Sequence, residues 1–262
     1  MTGGRLAGKN ALVCGGESGI GAAIVRRFAA EGAAVLAAGV QRDLLSVLAA
    51  EPGVATAFCD VTDQVQVDAT VAAAAARAGG LHIVVNAAGI MHADNVADID
   101  DRIWDRLLAV NLSGTMRVCR ASIPHLIHAG GGAIVNIASV AAFNGSAGMA
   151  SYGTGKAGLI AFTRALANEY GKHRIRANTL CPGWVRTPMS EAEMIDVAAT
   201  AGITVEAAFA ALGERIALRR IAQPEEIAAT ALFLASDDAS FVTGVALVAD
   251  GGARTPAAAR AV

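Results

Sequence analysis

The chain is 262 residues long, with 21 basic and 23 acidic side chains and a formal net charge of −2. Its apolar share of 54 %, before 29 glycines are counted, exceeds the roughly 45–50 % usual for soluble domains, and its charged share of 17 % falls below their roughly 25 %. Such a chain buries one large core and is not disordered. A near-neutral balance without basic runs argues against nucleic acid as the main partner, and no apolar run approaches the roughly 18 residues of a membrane span. The opening Met1-Thr2-Gly3-Gly4-Arg5-Leu6 lacks the apolar stretch of a signal peptide. Cys14, Cys59, Cys119 and Cys181 stand far apart without metal-ligand spacing, and three of them lie in apolar runs, which suits buried free thiols in a reducing compartment. The expectation is a single domain over 1–262, cytoplasmic and without a metal.

In chain order, short apolar runs alternate with longer amphipathic ones. Residues 10–14, 33–38, 54–59, 81–86, 133–138, 176–181 and 245–249 read as buried strands, too short for helices and bounded by Gly, Asp or Pro. Between them, 19–31, 41–50, 63–78, 100–128, 151–172 and 224–236 read as helices, with Pro124 and the Gly130-Gly131-Gly132 run ending the fourth. This alternation predicts an α/β fold, a doubly wound parallel sheet of about seven strands with helices on both faces. Residues 188–213 are helical in composition but fall where a regular unit needs no insertion. The Ala-rich tail, 253–262, is expected to be loosely held.

The first strand runs into Gly15-Gly16-Glu17-Ser18-Gly19-Ile20-Gly21 and then a helix. Glycines at 15, 19 and 21 let the backbone turn tightly and approach a diphosphate resting on the helix N-terminus. The spacing is G-x-x-x-G-x-G, not the G-x-G-x-x-G of other dinucleotide folds, and its place directly after the first strand is what points to a Rossmann-type dinucleotide site.

A second constellation is Ser139, Tyr152 and Lys156. Tyr152 and Lys156 stand at i and i+4 and project from one helix face, while Ser139 ends the fifth strand at the carboxyl edge where open α/β sheets bind ligands. A phenol with a pKa near 10 must fall by about three to work at neutral pH, roughly 4 kcal/mol. One lysine charge about 4 Å away supplies a similar amount at an effective dielectric near 20. Taken alone, the same spacing also suits an ordinary surface helix.

Gly15…Gly19-Ile20-Gly21, Asn86-Ala87-Ala88-Gly89, Asn111, Ser139, Tyr152-Gly153-Thr154-Gly155-Lys156 and Pro182-Gly183 stand in the order of the short-chain dehydrogenase/reductase family. The chain resembles its short, single-domain branch over essentially the whole length. The resemblance implies that Tyr152 is the acid–base residue and that Lys156 lowers its pKa and binds the nicotinamide ribose. It implies that Ser139 holds the substrate oxygen and that Asn111 anchors a water linking Lys156 to solvent. Cofactor contacts are implied along Gly15, Glu17, Ser18, Gly19, Ile20 and Gly21, at Gly39, and at Asp60 and Val61 beside the adenine. They continue at Asn86, Ala87 and Gly89 along the ribose and at Pro182, Gly183, Val185 and Thr187, the last two toward the nicotinamide amide. Asp60 has an alternative role opening a helix, and Thr187 as a turn hydroxyl before Pro188. Residues 188–213 resemble the family's substrate lid, and a homotetramer built on the helices 100–128 and 151–172 is implied.

Two departures from the family pattern stand out. The second motif reads Asn86-Ala87-Ala88-Gly89 where the family usually has a second Asn, which costs a local hydrogen bond. The second strand ends at Gly39, where NAD-specific members carry Asp, and Val40 follows, where many NADP-specific members carry Arg. The two usual basic positions hold Ser18 and Val40, Glu17 repels a 2′-phosphate, and Gln41 can bond a ribose hydroxyl. Arg42 alone pulls the other way. The cofactor is therefore expected to be NAD(H) or NADP(H), with these charges leaning to NAD(H).

Met91, His92, Phe143, Met149, Trp184 and Met189 flank motif residues and are taken as substrate contacts, whereas His125 and His128 read as surface or interface positions. The lid stretch holds Glu191, Glu193, Asp196 and Glu206 and no Lys or Arg, leaving Arg186 as the one cation positioned to face the site. A small, neutral, fairly apolar alcohol or ketone follows. The alternatives are a 3-oxoacyl thioester reductase, with Lys172, His173 and Arg174 as a docking patch for an acidic carrier protein, and a non-catalytic cofactor sensor. A sensor has no need of Tyr152, Lys156, Ser139 and Asn111 together.

Overall fold

The structure is a computed structural model that describes residues 4–77, 79–145 and 147–253. Seven strands form it: β1 (Asn10–Cys14), β2 (Ala34–Gly39), β3 (Val54–Phe58), β4 (Ile83–Asn86), β5 (Gly132–Ile137), β6 (Ile175–Pro182) and β7 (Ala246–Ala249). They make one sheet in the order β3-β2-β1-β4-β5-β6-β7, parallel throughout. Every residue of β1 and β4 is buried, as continuous apolar strands covered on both faces must be.

The helices are α1 (Gly19–Ala30), α2 (Arg42–Leu48), α3 (Gln64–Ala75), α4 (Asp101–Leu108), α5 (Thr115–His128), α6 (Ala150–Tyr170), α7 (Pro188–Ala201), α8 (Val205–Gly213) and α9 (Pro224–Ala235). One core forms where α1 and α9 cover one face of the sheet, with Phe28, Ile24, Val35 and Leu232 at its centre. The other lies beneath α3, α5 and α6, around Leu12, Val84, Leu126 and Ile134. The chain steps outward from β1 to β3, then crosses back to lay β4 on the other side of β1. The loops after β1 and β4 therefore diverge and open a crevice at the carboxyl edge, where open α/β sheets place their ligands.

Strand limits differ from the sequence reading by a residue or two, and two differences are larger. The segment read as one helix over 100–128 is α4 and α5 joined by a wider π-helical turn, Ala109–Gly114. Pro124 also does not end the helix: α5 runs through it to His128, and Gly130 and Gly131, at φ of 87° and 128°, stop it. Pro124 and Arg120 both lie on the exposed face, so water meets the carbonyl that proline leaves without a donor, while Ile123 and Leu126 stay in the core.

The insertion 188–213 is helical as composition predicts. Thr187 caps α7, its Oγ1 accepting from the Ser190 N–H at 3.3 Å while Pro188 fills the first helical position. The four cysteines are buried, and none forms a disulfide among the described residues. Among the described residues no single helix is long and apolar enough to cross a membrane, and no cluster of ligands for a metal occurs. The tail beyond Ala253 lies outside the described residues.

Candidate functional site

A cavity of about 640 Å³ opens along the carboxyl edge of the sheet, of a size that suits a cofactor or a small ligand. Its floor is the turn between β1 and α1. Gly15, at φ 72°, lies so close to the loop after β4 that a Cβ there would fall on the backbone of Ala88. Gly21 faces the Gly15 carbonyl in the same way. Gly19 takes a φ of 49°. Ser18 and Ile20 complete the turn, and all line the cavity. The unpaired N–H groups at the start of α1, with no acid in its first turn, form a cradle for a diphosphate. That is the chemistry a dinucleotide requires, and these residues fit it.

The next stretch of wall comes from the ends of β2 and β3: Glu17, Gly39, Val40, Gln41, Asp60 and Val61. Glu17 folds over Gly39, and its Oε1 accepts from the Val40 N–H at 2.9 Å. Asp60 does not open a helix; Asp63 does, capping α3 through the Val65 and Gln66 N–H groups. Burial works against the Asp60 charge, but bonds from the Thr62 N–H and hydroxyl and the nearby Arg106 outweigh it, so its carboxyl sits below the usual range. Arg42 does not reach the cavity. Its guanidinium lies over the Phe58 ring, 4.0 Å from the centroid.

Asn86 also departs from its expected place. Register pairs it with Asn136 on β5, and its Nδ2 donates to the Asn136 Oδ1 at 2.8 Å; Asn136 in turn donates to Thr163. Its side chain is thus buried within the sheet, and it is Ala87, Ala88 and Gly89 that line the cavity.

Ser139 follows β5, with its Oγ accepting from the Ala141 N–H at 3.1 Å. Tyr152 and Lys156 stand one turn apart at the start of α6, and all three line the cavity. Lys156 is 4 % exposed; its Nζ donates to the Ile137 carbonyl at 3.0 Å and lies 5.6 Å from the Tyr152 ring centroid. The expected depression of the phenol is not what the protein alone provides. Burial pushes Tyr152 up, with Ser139 pulling the other way, and burial pushes Lys156 down to about 8. Both groups lose water, and at this separation the lysine charge does not offset that loss.

Asn111 lies in the π-helical turn, fully buried. Its Nδ2 donates to the Ile90 carbonyl and its Oδ1 accepts from the Ile90 N–H, at 2.8 and 2.9 Å. A Cβ on Gly89 would meet both Asn111 Oδ1 and Lys156 Nζ at 3.2 Å, so that glycine sits where the two side chains converge.

At the far end, Met91, Met149, Trp184 and Met189 line the cavity together with Pro182, Gly183, Val185 and Thr187. His92 and Phe143 do not; both sit on loop surfaces turned toward solvent, and Phe143 is 43 % exposed. Arg186 is also elsewhere, paired with Glu191 and Glu206 and lying over the Phe209 ring. Sequence reasoning missed Arg106, Asn144 and the cavity role of Glu193, whose carboxyl burial pushes up. Glu193 was legible, since it stands four residues beyond Met189 on the same face of α7. The basic turn Lys172–Arg174 lies past the other end of α6, about 30 Å from Tyr152 at 1.5 Å per residue.

Over residues 15–254 the chain matches the family model described as enoyl-(acyl carrier protein) reductase. It is 36 % identical to a 3-oxoacyl-acyl-carrier-protein reductase of Thermotoga maritima, over 95 % of this chain and 98 % of that one. It is 40 % identical to a D-threitol dehydrogenase of Mycolicibacterium smegmatis, over 95 % and 94 %. A substituted form of actinorhodin polyketide ketoreductase, solved with NADPH, superposes with a TM-score of 0.90 at 31 % identity, covering 97 % of this chain and all (100 %) of that one.

Proposed function

The chain belongs to the short-chain dehydrogenase/reductase family of oxidoreductases, which bind a nicotinamide cofactor, and from that premise we propose that it interconverts a secondary alcohol and a ketone with Tyr152 as acid–base. The observation that carries this reading is Tyr152 and Ser139 facing one cavity, with Lys156 buried a turn behind.

When bound, the nicotinamide supplies or accepts the hydride. Ser139 accepts from Ala141 and directs its own hydrogen toward the Tyr152 phenol, from where it can pass to a substrate oxygen bound between the two. In reduction Tyr152 gives its proton to that oxygen; in oxidation it takes one. Burial keeps the phenol protonated at neutral pH, which favours reduction, and the Lys156 ammonium stabilises the phenolate once the proton leaves. The methionines and Trp184 exclude water from the reacting carbon.

The substrate we infer is small, neutral and fairly apolar. Arg186 is neutralised by two glutamates, and the charge the α7–α8 lid adds to the cavity is that of Glu193. D-threitol, the substrate named for one relative, is likewise uncharged. We place NAD(H) ahead of NADP(H), although the ketoreductase relative holds NADPH. Reduction of a carrier-bound 3-oxoacyl thioester uses the same chemistry and ranks second: the relative from Thermotoga maritima favours it, but the basic turn is too distant for a carrier docked there to feed the cavity. Assembly of four copies through α4, α5 and α6 belongs to the same reading.

A panel of aliphatic, cyclic, aromatic, steroid and sugar alcohols, followed by cofactor absorbance, tests it. Tyr152→Phe is expected to lower turnover at least about a hundredfold and leave cofactor affinity within about twofold. Retention of more than about half the turnover would sink the assignment.

A further inference from the structure

The end of β2 carries no side chain at Gly39, and the space there is filled from another part of the chain. Glu17 reaches across from the glycine-rich turn, and a Cβ on Gly39 would fall on its carboxylate. Only glycine at 39 admits this arrangement. Glu17 is 7 % exposed and lines the cavity beside Gly39, Val40 and Gln41. Its Oε1 is satisfied by the Val40 N–H at 2.9 Å. Its Oε2 is buried and has no hydrogen-bond partner among the described residues.

A carboxylate serving only to hold the Val40 backbone needs one oxygen. The second, buried and bare at the wall of the cavity, calls for a donor that the protein does not supply. On the dehydrogenase reading, on which this inference rests, the neighbouring ligand group is the adenosine ribose, whose vicinal hydroxyls are such donors. We propose that Glu17, lent to the end of β2 by the glycine-rich turn, accepts the adenosine ribose hydroxyls and selects against a 2′-phosphate. A phosphate ester there brings about two negative charges against a fixed carboxylate. The nearby cations are otherwise engaged: Arg42 lies over Phe58 and Arg106 stands 3.9 Å from Asp60. The pair Glu17 and Gly39 thus works as one unit, with the acid on one loop and the vacancy for it on the next.

Calorimetric titration with ADP-ribose and 2′-phospho-ADP-ribose tests this without turnover, because neither carries a nicotinamide. The wild type is expected to bind ADP-ribose at least about tenfold more tightly. Glu17→Gln keeps an oxygen for Val40 and is expected to weaken ADP-ribose about tenfold while the phosphorylated form holds or gains, bringing the two within about threefold. The double variant Glu17→Ser, Gly39→Asp returns a carboxylate to the same space and is expected to restore the tenfold preference. The proposal is overturned if the wild type binds the phosphorylated form as tightly or if Glu17→Gln weakens both forms equally. A double variant that folds with the wild-type melting temperature yet shows no preference also overturns it. If neither fragment binds the wild type, the dehydrogenase reading falls with it, an outcome distinct from a preference that ignores Glu17.

Discussion

The two ends of the cavity are built by different means. At the nucleotide end, the wall is backbone: Gly15 against Ala88, Gly21 against Gly15, and the bare N–H groups of α1. At the substrate end it is side chains from separate elements, Met91, Met149, Trp184, Met189 and Glu193, brought together by α7 and the loops after β4, β5 and β6. Backbone packing tolerates almost no variation, so it leaves a fixed pattern of glycines. A side-chain wall accepts many residues.

Substitution at the nucleotide end should therefore be the most damaging. Gly15→Ala forces a Cβ onto the Ala88 backbone at a φ of 72°. The expected loss is about 2 kcal/mol of stability together with at least about tenfold in cofactor affinity, read by thermal melting and by fluorescence titration. A variant that melts and binds as the wild type does would erase the contrast between the two ends.

The reacting groups between the two ends come next. Alcohol oxidation needs the Tyr152 phenolate, and burial holds that phenol above its ordinary value, so the rate should climb as pH rises. Lys156, pushed down to about 8, sheds its charge above that point and withdraws its support. The kcat for oxidation is thus expected to rise about tenfold or more between about pH 6 and about pH 8, then flatten. A pH–rate profile that is level or falling over that interval would count against this division of roles.

The smallest effect belongs to the substrate end. Arg186 ties the start of α7 to α8 through Glu191 and Glu206. Arg186→Ala should loosen the α7–α8 pair, raising KM for the alcohol about threefold while the Kd of the cofactor stays within about twofold, since exposed ion pairs contribute little each. Equal changes in both constants would mean that the two ends of the cavity are not separate units.

The same contrast explains what the sequence disclosed. The seven strands, the glycine turn and the Ser139, Tyr152, Lys156 set depend on local spacing and element order, which a sequence carries directly. The side-chain direction of Asn86 depends on its register with Asn136, fifty positions along, and Glu17 lies over Gly39 only because β1 and β2 are neighbours. Neither pairing leaves a local trace. His92 and Phe143 lie close in sequence to motif residues, and closeness along a loop does not say which way a side chain turns. Pro124 misled because its exposed position on α5, not its identity, decided its cost.

The π-helical turn Ala109–Gly114 also sets the phase between two helices. Such a turn holds about one residue more than the α-helical turn it replaces, and each residue advances a helix by about 100°. Regularising 109–114 to α-helix at its present length would rotate all of α5 by that angle relative to α4. The stripe Val118, Cys119, Ser122, Ile123 and Leu126, which now meets the sheet, would swing sideways out of the core. Asn111 would lose its grip on Ile90 in the same movement. The widened turn is therefore a shared constraint on the core and the cavity, because it absorbs the extra residue that a regular helix would convert into rotation.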